Sequence, residues 1–448
     1  MVPRLTPSLP FRIAALTVFL AATARGQAPP AELDEYVKAP DPAYAWKQLD
    51  TKSTPQGTVH LLELTSQVWH DITWKHDLTI FEPADLVHRD AALLFITGGS
   101  TGSHPGDKDF AQGFAMAKAT GGRVAILRQV PNQPLLGDRK EDDLISETFL
   151  RYLATKDKTW PLLFPMAKSA VRAMDAVQAW AEKQGKDRME RFVVTGASKR
   201  GWTTWLTGAT DRRVVAIAPM VIVMLNLGLQ GPNQLDVWGK YSEQIEDYVS
   251  KGLMEKAQTP EGRDLWKMVD PYTFRDRLTM PKMLINGAND RYWTLNALDL
   301  YWDGLSGPKY LVELPNAGHG LDQNRNWAID GLGAFFRHAV TARPMPVVTW
   351  KMDESGDAAR LSIESSPAPK SVRLWGATSP NRDFRESRWT PTPLTPSTTI
   401  TAPLPKPSTG SAAYFADLEF EVDDLSYHLT TSFLEPGAPR KSPASAPR

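Results

Sequence analysis

The 448-residue chain contains no cysteine. That excludes disulfides, a thiol nucleophile and cysteine-ligated zinc. It leaves the compartment open, because an exported protein can also dispense with thiols. Net charge is missing too, since 51 basic residues balance 51 acidic ones. With no long basic run either, neither nucleic acid nor an anionic membrane surface is an expected partner. The sequence shows no internal repeat. Its N-terminal apolar run, residues 13–22, is too short to span a bilayer comfortably, so no permanent membrane anchor is expected.

That run reads instead as part of a secretory signal. Arg4 and Arg12 precede it, and Ala22-Thr23-Ala24 follows as a small-x-small cleavage site. Cleavage is expected after Ala24, or after Ala28, a site weakened by the proline that follows it. Residues 1–28 are therefore set aside as a signal peptide. The mature chain is expected to be secreted or periplasmic. At this length a large core plus an accessory domain is expected.

The remainder is organised around residues 191–206, RFVVTGASKRGWTTWL. Phe192, Val193 and Val194 suit a strand buried on both faces. A turn of small residues follows, and then a helical stretch. Such a turn lifts Ser198 between strand and helix, as in a nucleophile elbow. The helix N-terminus would offer backbone N–H groups to a developing oxyanion. The spacing is G-x-S-x-x-G, one residue longer than the common G-x-S-x-G. Taken alone, it fits equally well an ordinary strand–turn–helix with a capping serine.

Two downstream segments separate these readings. PKMLINGAN, residues 281–289, reads as a strand that ends just before Asp290. GPKYLVEL, residues 307–314, reads as another, followed by PNAGHG, which contains His319. The order Ser198, Asp290, His319 is that of the α/β-hydrolases. Each residue falls at a strand's C-terminal end, where such sheets collect their functional groups.

Upstream, residues 59–68 and 71–81 form an expected antiparallel pair. His76 lies on its apolar face, as a packed residue rather than a ligand. AALLFIT, residues 91–97, is a third strand, followed by a Gly-rich loop, residues 98–102. Gly99 and Ser100 in that loop are candidate oxyanion donors beside Lys199. No Gly-Lys-Ser/Thr follows, so a phosphate loop is excluded. Helices are expected at 109–120, 165–183, 296–305 and 323–340, and strands at 122–128 and 213–220. The polar connection 129–143 could rim the site, and residues 32–46 are expected to lie along the surface. Alternating strands and helices imply a mostly parallel sheet covered on both faces. Residues 221–278 interrupt the alternation with aromatic-rich helices, either a cap over the pocket or plain helical packing. The hydrolase domain is thus 29–343. From 344 to 435, short strands between Pro-, Ser- and Thr-rich turns suggest a β-sandwich, with 391–407 as a loop. Residues 436–448 lack core-forming residues and are expected to be disordered.

The stretch GASKRGWTTWLTGATDRRVVAIAPMVIVMLN, with NGANDRYW and PNAGHG, resembles the PhoPQ-activated pathogenicity-related protein family. That resemblance runs from about Tyr36 to the end of the sandwich. It implies an exported α/β-hydrolase fold with a C-terminal β domain, and no substrate. The elbow is also similar, over a short stretch, to that of the glucuronoyl esterases.

The chemistry expected is acyl transfer to water, with Ser198 as nucleophile, His319 as general base and acid, and Asp290 orienting the imidazole. It calls for no metal or organic cofactor. Lys199 and Arg200 are expected to face outward. For Arg200 a structural salt bridge is favoured over binding a substrate carboxylate. The substrate would be a small molecule or a peptide. Ester cleavage is favoured, because an alkoxide departs without well-placed protonation. The rival readings are a secreted serine peptidase and a non-catalytic secreted interaction protein. Fifteen tryptophans, among them Trp202, Trp205, Trp293 and Trp327, raise a carbohydrate-binding reading, although tryptophans also fill cores.

Overall fold

The computed structural model describes residues 28–355 and 359–439. Apart from Ala28, the signal-peptide expectation lies outside the described residues, as does the tail from 440 onward.

Helix α1 (Glu32–Lys38) precedes four strands, β1 (Ala45–Thr54), β2 (Gly57–Trp69), β3 (Ile72–Pro83) and β4 (His88–Ile96). Helix α2 (Asp107–Thr120) leads to β5 (Gly122–Leu127). Helices α3 (Glu141–Thr155) and α4 (Leu163–Lys183) lead to β6 (Arg191–Ala197), and α5 (Lys199–Thr210) to β7 (Val214–Met220). Helices α6 (Leu227–Trp238), α7 (Glu246–Val249), α8 (Leu253–Lys256) and α9 (Pro260–Val269) then intervene before β8 (Lys282–Gly287). Strand β9 (Lys309–Leu314) and helix α10 (Arg325–Thr341) follow.

The sheet runs β1-β2-β3-β5-β4-β6-β7-β8-β9. From β5 to β9 all neighbours are parallel, while β1, β2 and β3 form an antiparallel edge. This is the α/β-hydrolase fold. Strands β5 and β8 are buried at every position, as expected of parallel strands covered on both faces. One core lies between the sheet and α4, α5 and the intervening helices, with Trp180, Trp205 and Phe164 at its centre. The other lies under α2 and α10 and continues into the C-terminal domain.

That domain has strands β10 (Val347–Asp353), β11 (Ala359–Ser366), β12 (Ser371–Ser379), β13 (Thr390–Leu394), β14 (Thr399–Leu404), β15 (Ser411–Val422) and β16 (Leu425–Thr430). They form two antiparallel sheets, β10-β11-β14 and β13-β12-β15-β16. The domain is attached to the larger one by packing. Trp327 of α10 stacks on His428 at 4.0 Å, and Thr430 Oγ1 accepts the backbone N–H of Glu313 on β9 at 3.1 Å.

Several expectations fail for physical reasons. Residues 32–46 do not simply lie on the surface: α1 buries Leu33 and Val37, and β1 begins at Ala45. Strand β1 is a largely solvated edge strand, so it carries little apolar alternation. Helix α3 begins at Glu141, within the expected connection. Residues 295–304 form 3₁₀ turns rather than a regular helix. The supposed loop 391–407 contains β13 and β14. Both are edge strands, where Pro391, Pro393 and Pro403 cost no interior ladder bond. At the start of the supposed tail, the Gly437 N–H donates to Glu354 at 2.7 Å. His76 is packed as expected, between Ser66 Oγ and the Arg128 carbonyl, 2.9 Å from each.

Candidate active site

Strand β6 ends at Ala197 and α5 starts at Lys199, so Ser198 alone makes the turn. Its backbone sits at φ 59°, ψ −129°, a strained conformation for a residue with a side chain. The turn closes only because its flanks are bare. A Cβ on Gly201 would lie 2.7 Å from Ile222 and 2.9 Å from the Met220 carbonyl. The Ser198 N–H donates to the Met220 carbonyl at 2.9 Å, tying the turn to β7. The Lys199 N–H belongs to the first turn of α5, where backbone donors have no intrahelical acceptor.

Asp290 and His319 come together from the ends of β8 and β9. The imidazole Nδ1 is 2.8 Å from Asp290 Oδ2, and Oδ1 accepts the Tyr292 N–H at 2.9 Å. A Cβ on Gly287 would meet the Ala317 carbonyl at 2.4 Å, so glycine is what lets the two loops touch. Tyr292 lies against the imidazole, with centroids 4.2 Å apart. His319 Nε2 is buried and makes no hydrogen bond, and it lines the same cavity as Ser198. An Nδ1 held by a carboxylate leaves Nε2 free to act as acceptor. In an unliganded site the bond from the nucleophile is often long.

Lys199 lines that cavity, whereas Gly99 and Ser100 do not. Residues 98–103 are tied instead to residues 128–133: the Gln129 N–H donates to the Gly98 carbonyl at 2.9 Å and the Thr101 N–H to the Gln133 carbonyl at 2.7 Å. The Arg200 guanidinium also packs against Gly98, where a Cβ would lie 2.4 Å from Nη2.

Lys199 and Arg200 turn inward, contrary to expectation, and both are buried. Arg200 forms a bidentate pair with Glu141 at 2.7 and 2.8 Å and donates to the Val130 carbonyl at 2.5 Å. This is the structural salt bridge the sequence favoured. Lys199 Nζ is 2.8 Å from Glu141 and 3.5 Å from Asp142. Burial pushes the Glu141 carboxyl up, but Arg200 and Lys199 outweigh it and hold the group well below the usual range. Asp142 accepts the hydroxyls of Tyr248 and Tyr292, each at 3.1 Å. Burial first, and the Asp142 charge second, raise both phenols, which stay protonated. The acidic run 141–143 was the only sequence sign of this network.

The C-terminal domain reaches the site through the loop between β12 and β13. Asn289 Nδ2 donates to the carbonyls of Phe384, Arg385 and Ser387 at 3.2, 3.2 and 2.7 Å. Asn316 exchanges two bonds with the Trp389 backbone, at 3.0 and 2.8 Å. Arg291 pairs with Glu386 of the same loop. The neighbours of Asp290 and His319 are thus fastened to a segment 73 to 98 residues away in the chain. Of the tryptophans raised for carbohydrate binding, Trp205 and Trp327 are buried core residues, while Trp202 and Trp293 line the cavity of Ser198. Among the described residues, no group of His, Asp and Glu is arranged to hold a metal ion, and no helix is long and apolar enough to cross a membrane.

Against known proteins, the model of the PhoPQ-activated pathogenicity-related protein family matches residues 33–385. This chain belongs to that family. It is 33% identical to autocrine proliferation repressor protein A of Dictyostelium discoideum, an alignment covering 87% of this chain and 85% of that one. Among solved structures it is similar to acetyl xylan esterase 1 of Thermoanaerobacterium sp., with 15% identity, 69% of this chain and 95% of that chain covered, and a TM-score of 0.48. It is also similar to a glucuronoyl esterase of Solibacter usitatus, with 15% identity, 70% and 92% coverage, and a TM-score of 0.46.

Proposed function

We propose that this member of the family is an exported serine hydrolase that cleaves an ester by acyl transfer. The observation that carries the reading is the strained Ser198 sharing a cavity with a histidine whose Nδ1 is held by a carboxylate at 2.8 Å. Ser198 Oγ attacks the carbonyl carbon as His319 Nε2 takes the hydroxyl proton. The Lys199 N–H supports the oxyanion. When the tetrahedral species collapses, Nε2 returns the proton to the departing alkoxide. Water repeats the cycle on the acyl-enzyme. Asp290 fixes the imidazole tautomer. The test is labelling with a fluorophosphonate, which should modify the wild type and not Ser198→Ala. Equal labelling of both would overturn the assignment. Export is tested by intact mass, which should begin at Arg25 or Pro29 in protein recovered outside the cytoplasm.

A second reading, a secreted protein acting through its surfaces, is favoured by the name of the curated relative, an autocrine proliferation repressor. A surface role would survive Ser198→Ala intact.

A further inference from the structure

Ser198 and His319 border a cavity of about 320 Å³ roofed by α6, α8 and α9. Its wall is made largely of Trp202, Ile222, Met224, Leu227, Ile245 and Met254. Polar residues also line it, and several of their hydrogen-bonding groups are already engaged. Asp142 is taken by Tyr248, Tyr292 and Lys199. Trp202 Nε1 donates to the Val269 carbonyl at 2.6 Å, and Gln230 Nε2 to the Leu225 carbonyl at 2.8 Å. Gln234 donates to the Tyr292 carbonyl and accepts the Ser242 N–H, at 2.9 Å each. Glu255 and Gln258 are exposed, on the solvent side. Trp293 Nε1 is buried without an acceptor, one of a few open polar groups scattered over a mostly apolar wall rather than the convergent set that the hydroxyls of a sugar need.

A cavity whose wall is mostly apolar side chains rewards apolar surface and penalises a polar guest. We propose that it holds the apolar group of an ester, an alkyl or aryl chain of several carbons, beside the scissile bond. This rests on the serine-hydrolase reading above. Two methionines in the wall suit a chain of variable shape, since the thioether adapts to irregular contacts. The chain could enter from the acyl or the alkoxy side, and the same apolar chemistry serves both.

The experiment uses the full-length mature protein. Its kcat/KM is measured on p-nitrophenyl acetate, butyrate, hexanoate and octanoate, and on methyl to octyl acetates, each divided by the uncatalysed rate. One of the two series should rise by about fourfold per methylene until the cavity is full, which also identifies the side that enters. Met254→Gln keeps the side chain's length at a half-buried position and adds a polar group. It should reduce the octanoate-to-acetate ratio, or its alkoxy equivalent, at least fivefold, with the melting temperature followed as a check on folding. If Ser198 is labelled but both series are flat, or an acetylated sugar or uronic acid ester leads, the apolar-chain assignment is overturned and the serine hydrolase stands. If neither labelling nor any ester turnover is seen, the hydrolase reading falls and takes this assignment with it.

Discussion

The two sides of the candidate active site are built differently. The serine side is local: β6, one strained residue and α5 are consecutive in the chain, and Gly201 makes the turn fit. The Asp290–His319 side is assembled at long range. Its loops meet through Gly287, and Asn289 and Asn316 fasten them to residues 384–389 of the other domain. The geometry of Ser198 is therefore fixed by neighbours in sequence, while that of His319 depends on how two domains pack. The C-terminal domain is part of the frame that holds the loops carrying Asp290 and His319.

The largest effect should come from breaking either side at its reacting atom. Ser198→Ala and His319→Ala should each lower kcat by a factor on the order of 10⁵–10⁶, and the double variant should be no worse than either. Multiplying losses in single-turnover measurements would mean the two sides do not act together.

The long-range side can be loosened without touching those atoms. Asn289→Ala and Asn316→Ala each remove a fastening at the domain junction. We expect kcat to fall about 10- to 100-fold with little change in KM, because a shift of an ångström at the base carries that cost. Fluorophosphonate labelling should slow in parallel, while circular dichroism stays native. Wild-type rates in both variants would show that the other domain does not aim His319.

The two sides also carry carboxyls that titrate with opposite sign. On β9, burial pushes Glu313 up to about 7, against the lowering effect of the Asn286 amide, which it accepts at 3.1 Å. Between about pH 4.5 and 7 the unfolded carboxyl is ionised and the native one protonated. The native state then binds more protons, and stability falls as pH rises through that window. The loss reaches about 3 kcal/mol above pH 7. Glu313→Gln should recover most of it at pH 8 and little at pH 4.5, read by urea denaturation at each pH. On the serine side, Glu141 is held below its usual range by Arg200 and Lys199. Its contribution is present above its unfolded pKa and is lost as the pH falls through the lower folded value. The side chain is partly exposed, so solvent screening reduces the effect: Glu141→Gln should cost about 1 kcal/mol at pH 7 and less in acid. Equal slopes in both variants would contradict this pairing of signs.

What could be read from the chain follows the same division. The elbow was legible because a buried strand, a small-residue turn and a helix leave their pattern in sixteen consecutive residues. Asp290 and His319 were legible through their order and their places after apolar strands. The fold class followed from the alternation of strands and helices, and the β domain from the change of period after residue 343. The sequence could not reveal the direction of Lys199 and Arg200, because two cations after a turn read as solvated until Glu141 is brought to them from the start of α3. Nor could it reveal that residues 98–100 turn toward residues 128–133 rather than line the cavity of Ser198. The edge strands β1, β13 and β14 were hidden for a different reason: an edge accepts polar residues and prolines that an interior strand would reject. Local hydrogen bonding and periodic burial are written in neighbouring residues. Ion pairing, cavity walls and the fastening of loops across domains depend on which distant segments meet, and only the packed chain decides that.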